Sequence, residues 1–270
     1  DIDSVVIPFA NAYTDPIVIA GIPTHNGDAE VAIRLTGVRD TSFTVYSDVP
    51  NRCGDSGHVP ESFGWLITNS GQFGDMEFGQ GTYGICAGGS LCTAALGCPS
   101  CDHSTGFDWV DVTFTVDIES PVVVSQIQSH TGGNWVKTRQ RSVTNGGFQM
   151  KQEEDGMDAG HNTEVYGWMA VPAGVGDMFG AAYEAIVTPD VVTHNPYTVD
   201  FANQFSDPPA LFGSIHTFDG PDPSHLRQTS PVGTLSAEIF VEEETCSDSE
   251  LGHTTEKVSV FAIDMGVSGQ

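Results

Sequence analysis

The chain has 270 residues, with 36 Asp or Glu against 9 Lys or Arg, a formal net charge of −27. A surface this acidic repels the phosphates of nucleic acid, and no run of eighteen apolar residues is present to cross a bilayer, so neither nucleic-acid binding nor membrane insertion is expected. The same charge suits salty water, where self-repulsion is screened, and six cysteines in a Gly-rich, β-rich chain favour an oxidising, extracellular compartment.

Taken in chain order, residues 1–70 read as a first unit of short, alternating apolar runs bounded by Gly, Pro, Asp and Asn, with Phe43, Phe63, Trp65 and Ile67 facing a core. Residues 71–107 form a Gly/Cys-rich insertion. Residues 108–177 make the clearest unit, with strands expected at 110–116, 122–128, 135–143, 147–152 and 164–171. Its Asn145-Gly146 step is a hairpin signal, since Asn-Gly supplies the positive φ of a tight turn. Phe148, Tyr166, Trp168 and Ala170 then face inward, with Val165, Gly167 and Met169 on the opposite side. Residues 178–195 are a connector in which 180–187 allows one or two helical turns at most. Residues 196–270 form a third unit, with Val258, Val260 and Ala262 where the aromatics stood.

The three units repeat a pattern. Gly-His-x-x-Glu occurs at 57–61, 160–164 and 252–256, giving His58 with Glu61, His161 with Glu164 and His253 with Glu256. Upstream of each lies a Pro before an apolar run (Pro16, Pro121, Pro208), then a second His (His25, His130, His216) and an Arg (Arg34, Arg139, Arg227). Internal repetition of this kind predicts an all-β chain of three tandem small antiparallel β-sandwiches. Units of about 70 residues bury little surface alone. They are therefore expected to pack around a pseudo-threefold axis, with the first and third in contact.

The order of Pro-Val-Val-Val at 121–124, Arg139 with Val143, Thr-Asn-Gly-Gly-Phe at 144–148 and Gly-Trp-Met-Ala at 167–170 resembles the H-type lectin domain. The resemblance covers nearly all of the middle unit, and it extends in weaker form to the other two. It implies six-stranded sandwiches of the kind that trimerise and bind N-acetylgalactosamine-type sugars. The family's sugar-binding Arg falls at Glu30, Trp135 and Pro223, and no aromatic-His pair precedes the last strand. The family's ligand residues therefore do not carry over.

The repeated His, Arg and Glu are the most chemical feature of the chain. They read first as a buried network in which carboxylate orients His and pairs with Arg to fix the loop entering the last strand. Direct ligand binding, or a zinc set of two His and a carboxylate, are the alternatives. Acidic runs precede each tetrad: Asp48 and Asp55; Glu153, Glu154, Asp155 and Asp158; Glu242, Glu243, Glu244, Asp248 and Glu250. Such loops suit calcium, although solvated charge is the preferred reading. No cofactor is required by any motif; calcium is the better metal candidate and zinc the weaker. Cys86, Cys92, Cys98 and Cys101 in the insertion suit two disulfides better than a zinc site. Cys53 and Cys246 lie in equivalent loops and could close a ring of units. Trp109, Trp135, Phe179 and Tyr183 are candidates for an exposed stacking platform, Trp135 otherwise packing between units.

Function follows from these features as an expectation. The chain reads as an extracellular, non-enzymatic protein, because enzymes seldom keep three equal copies of an active site. Its partners would be glycans, as a carbohydrate-binding or adhesion protein. The alternative is a structural subunit of an extracellular filament, coat or matrix, whose partners are other extracellular chains or copies of itself.

Overall fold

The computed structural model describes residues 4–50, 58–83, 85–86, 90–91, 109–154, 161–229, 231–245 and 250–265. The side chains of all six cysteines lie outside the described residues, and so do both disulfide expectations. The described chain is all-β. In the first group, β1 (Val5–Pro8), β4 (Ser42–Asp48) and β3 (Ala32–Arg39) pair in that order, and β2 (Pro16–Ala20) pairs with β5 (Trp65–Asn69). In the second, β10 (Val110–Thr113), β13 (Gly147–Glu154) and β12 (Val136–Thr144) repeat the order, and β11 (Pro121–Ile127) pairs with β14 (Glu164–Pro172). In the third the set is β17 (Tyr197–Asp200), β20 (Ser236–Glu243) and β19 (Ser224–Gln228), with β18 (Ala210–Ile215) beside β21 (Val258–Ile263).

Two further hairpins extend these sheets. β6 (Gly71–Phe73) and β7 (Met76–Tyr83) open the segment read as an insertion, and β7 pairs along the free edge of β14. β15 (Gly174–Met178) and β16 (Ala181–Val187) open the connector, and β16 pairs along β21. The helical turns allowed at 180–187 are therefore a strand: Ala181, Tyr183 and Ala185 are buried beside β21, and that packing overrides local propensity. A short pair, β8 (Ile85–Cys86) with β9 (Ser90–Leu91), follows β7.

Each group buries an apolar layer between its two sheets. Val18, Leu35 and Phe43 build the first, Phe148, Tyr166 and Trp168 the second, and Leu211, Ile239 and Val260 the third. A fourth core lies between groups and joins Ile17 and Ile19 to Val122, Met169, Phe212 and Phe261. Met169, expected on the outward face of its strand, is thus fully buried, as is nearly all of β14. Each such side chain contributes about 1.5–3 kcal/mol on burial, so the three groups stabilise one another through this shared layer.

Two local features depart from the expected hairpin. Positive φ falls at Ser142 (φ 52) and Gly147 (φ 150) rather than on Asn145-Gly146, because β12 carries a bulge between Arg141 and Thr144. Gly147 also passes so close to β10 that a Cβ there would meet the Val112 carbonyl oxygen at 2.1 Å. On β7, Gly79 and Gly81 lie opposite Trp168 and Tyr166, whose rings cover them. The alternating glycines of 76–83 make room for the aromatic face of β14.

Candidate functional site

The three repeated arginines occupy one register position: Arg34 opposite Tyr46, Arg139 opposite Lys151 and Arg227 opposite Phe240. All three guanidinium groups are buried, and each reaches out of its own group. Arg34 Nη2 lies 3.4 Å from Glu164 Oε1, Arg139 Nη2 3.4 Å from Glu256 Oε1, and Arg227 Nη2 2.8 Å from Glu61 Oε1. First reaches second, second reaches third and third returns to first. A second carboxylate, on the strand beside each Arg, completes the clamp: Asp48 at 3.8 Å, Glu153 at 3.0 Å and Glu242 at 2.6 Å.

Each tetrad carboxylate sits in a nest of donors. Glu61 accepts from the Thr24 hydroxyl and, at 2.9 Å, from Asn26 N–H. Glu164 accepts from the Ser129 hydroxyl, from Thr131 N–H at 2.9 Å and from Gly132 N–H at 3.2 Å. Glu256 accepts from the Thr217 hydroxyl, from Asp219 N–H at 2.9 Å and from Gly220 N–H at 3.2 Å. Burial alone would raise the Glu256 carboxyl, but hydrogen bonds from His253, Thr217 and these amides outweigh it and hold the group below the usual carboxylate value. The arginine that pairs with each tetrad Glu to fix its loop comes from the neighbouring group and not from the same repeat.

The tetrad histidines flank these carboxylates. His58 Nδ1 is 3.6 Å from Glu61 Oε1 and His161 Nδ1 is 3.7 Å from Glu164 Oε1. His253 turns its Nε2 to Glu256 at 3.2 Å and its Nδ1 to Glu243. The His161 and His253 rings stand over Gly132 and Gly220, where a Cβ would meet ring Cε1 at 2.7 and 2.6 Å. Gly27 lies under Val59 and His58 in the same manner.

The second histidines are not one set. His25 and His130 follow the hydroxyl residue that caps the carboxylate, whereas His216 precedes Thr217. Phe218 therefore stands where the other two have His, its ring 4.7 Å from Arg139 Cζ. His25 Nε2 lies 3.6 Å from Glu242, and His130 packs 5.4 Å from the Tyr46 ring. His216 instead places Nδ1 2.9 Å from Ser259 Oγ, and burial, with Lys257 nearby, lowers its pKa to about 4. The hydroxyl residues Thr24, Ser129 and Thr217, and not the histidines, mark the matching positions of the three repeats.

The four candidate stacking residues do not share one exposed platform. Trp135 is 1% exposed, with Lys137 Nζ 3.8 Å from its ring centre and the His225 ring 5.6 Å away. Tyr183 is also buried, Trp109 is half-buried under Arg141, and Phe179 stays exposed. The acidic runs are not solvated charge throughout. Glu153, Glu154, Glu243 and Glu244 are buried rather than solvated, and Glu153 is held low by Arg139, Lys137 and Lys151 against the upward push of burial. Asp55, Asp155, Asp158 and Asp248 lie outside the described residues. Among the described residues no three His, Cys, Asp or Glu side chains gather as a metal-ligand set.

Sequence reasoning missed the middle of the assembly. Ala32, Lys137 and His225 stand two residues before the three arginines and line one cavity of about 90 Å³ between the groups. Glu30 Oε1 lies 3.7 Å from His225 Nδ1, and Glu242 Oε2 lies 2.9 Å from His225 Nε2. Burial lowers the His225 pKa, while His225 and Arg227 hold Glu242 low against its own burial.

Compared with known proteins, the chain is 23% identical over 262 residues to halomucin of Haloquadratum walsbyi (strain DSM 16790 / HBSQ001), a match covering 93% of this chain and 3% of halomucin. The chain thus spans a small fraction of the length of the curated relative it matches. No family model matches. No solved structure matches either.

Proposed function

We propose that this chain is an extracellular, non-enzymatic structural module, a building block of a coat or matrix, whose repeated His, Arg and Glu residues hold its strand groups together. The observation that carries this reading is the Arg–Glu clamp, which uses the most chemical residues of all three repeats as buried ties between groups. The similarity to halomucin is compatible with an extracellular, non-enzymatic protein, and the net charge of −27 suits a saline exterior. Buried ion pairs are costly to desolvate and poorly placed to meet a ligand, which supports a role in specifying the packing of the groups.

Sugar binding, which the H-type lectin resemblance implies, would rest on a different surface, the groove where Tyr13, Trp65 and Phe179 meet. A glycan array at high salt separates the two readings. The structural reading expects no saturable signal, and expects Glu61→Gln, Glu164→Gln and Glu256→Gln to lower the melting temperature. Saturable glycan binding would overturn it, and so would an unchanged melting temperature in all three variants.

A further inference from the structure

We propose that the cavity of about 90 Å³ between the three strand groups is a binding site for one small halide ion, chloride in ordinary salt. Its wall draws on every group: Gly21 and Ala32 from the first, Lys137 and Arg139 from the second, Ser214 and His225 from the third. The chain carries 36 Asp or Glu against 9 Lys or Arg, yet among the described residues no Asp or Glu lines this cavity. Two cations stand in a wall from which carboxylates are kept out. That composition suits an anion and opposes a metal cation.

The wall is also rich in uncommitted donors. Lys137 is 8% exposed and Arg139 1% exposed, and neither Lys137 Nζ nor Arg139 Nε has a hydrogen-bond partner among the described residues. The two terminal nitrogens of Arg139 are already taken, by Glu153, Ser224 and Glu256 among others, which leaves Nε. Ser214 Oγ accepts from Ser125 N–H at 3.1 Å, and Ser224 Oγ, also in the wall, accepts from Arg139 Nη1 at 2.9 Å. Both hydroxyls accept in these contacts, so the proton of each is left to donate. Buried donors are costly to leave unpaired, and a single monatomic acceptor can meet several of them at once.

Charge and size narrow the occupant. Two of the clamps set one arginine between two carboxylates: Arg34 with Asp48 and Glu164, and Arg227 with Glu61 and Glu242. The clamp of Arg139 instead gathers three cations, Arg139, Lys137 and Lys151, around two carboxylates, Glu153 and Glu256. Its positive excess reaches the cavity through Lys137. Burial draws the Lys137 ammonium down to about 8 and pushes the Glu30 carboxyl, beside His225, up to about 8. At neutral pH the ammonium is therefore charged and the carboxyl is not, so an anion in the cavity meets the first without repulsion from the second. A volume of about 90 Å³ holds about three bodies the size of water, at ~30 Å³ each. A halide with a water or two fits; a sugar acid does not.

Two measurements on the intact 270-residue chain test the site. In crystals grown with sodium bromide in place of sodium chloride, anomalous scattering should place a bromide in the cavity, in contact with Lys137 Nζ. Ordered water alone in the cavity, or bromide bound only elsewhere, overturns the proposal. The second measurement follows the melting temperature while gluconate replaces chloride at constant sodium concentration, which keeps screening constant. The parent should lose stability relative to Lys137→Met as chloride is withdrawn, because only the parent gains from anion binding, while surface effects of the two salts act on both alike. Ser214→Ala, which keeps both cations and loses one donor, should respond between the two, and it serves as the comparison if Lys137→Met does not fold. Parallel responses of the parent and these variants overturn the proposal.

Discussion

Arg227 and Glu61 are 166 residues apart in sequence, yet Arg227 Nη2 donates to Glu61 Oε1 across 2.8 Å. Arg227 also donates to the Thr24 carbonyl at 2.7 Å and to Glu242 at 2.6 Å, so one guanidinium ties the last strand group to the first. The backbone joins first to second and second to third; this contact joins the remaining pair.

Removing that tie should loosen the whole molecule. Arg227→Met strands two carboxylates in a buried setting and is expected to cost about 3–5 kcal/mol. Adding Glu61→Gln should recover part of the loss, since one stranded charge disappears. Urea midpoints for the parent, both single variants and the double variant give the coupling directly. Additive losses with no recovery would mean that the two residues do not work as a pair.

Gly220 gives a sharper test of how the tetrad is built. Its N–H donates to Glu256, and a Cβ would strike His253 Cε1 at 2.6 Å. Gly220→Ala should therefore destabilise by about 1–3 kcal/mol, as overpacking does. Gly133→Ala serves as the control: nothing lies within 4 Å of its Cβ position, and a change within about 0.5 kcal/mol is expected. Equal thermal shifts for the two would remove the steric account.

Much of the strand pattern was legible because apolar alternation reports one buried face, and the middle unit, where Phe148, Tyr166 and Trp168 alternate cleanly, gave strand positions close to β10 through β14. What alternation cannot report is a strand buried on both sides. Met169 and Val171 fill the layer between groups, which no single repeat displays. The hairpin at 174–187 was hidden for a related reason, since Ala-Ala-Tyr-Glu-Ala carries little strand propensity until β21 lies beside it. The His, Arg and Glu positions could be seen as a set, but their wiring could not. A period of one unit makes contact within a unit and contact with its neighbour look the same in sequence.

Salt should stabilise this protein. With a net charge of −27 the folded chain repels itself at long range, and raising salt from about 0.1 M to about 1 M shortens the screening length from about 10 Å to about 3 Å. The buried Arg–Glu pairs are screened far less, so they should survive the change. Calorimetry across that range is expected to show a rising melting temperature. A fall would mean that the buried pairs are exposed to solvent ions and outweigh the relief of self-repulsion.

The pH response should trace to the charges between the groups. Glu30 is 4% exposed, and burial pushes its carboxyl from 4.5 up to about 8 despite the pull of Lys137. Burial likewise draws the Lys137 ammonium from 10.5 down to about 8, against attraction from Glu153 and Glu30. A carboxyl raised on folding holds its proton more tightly in the folded chain, so its contribution is complete below about pH 4.5 and is lost as pH climbs through about 8. A lowered ammonium works in the opposite sense: its contribution is complete above about pH 10.5 and is lost as pH falls through about 8. Together they place a minimum of stability near pH 8, between two more stable flanks. Urea midpoints from about pH 5 to about pH 10 should show it. Glu30→Gln should flatten the acid-side slope, and Lys137→Met the alkaline one. An acid-side slope unchanged in Glu30→Gln would mean that the loss between about pH 5 and about pH 8 arises from other groups.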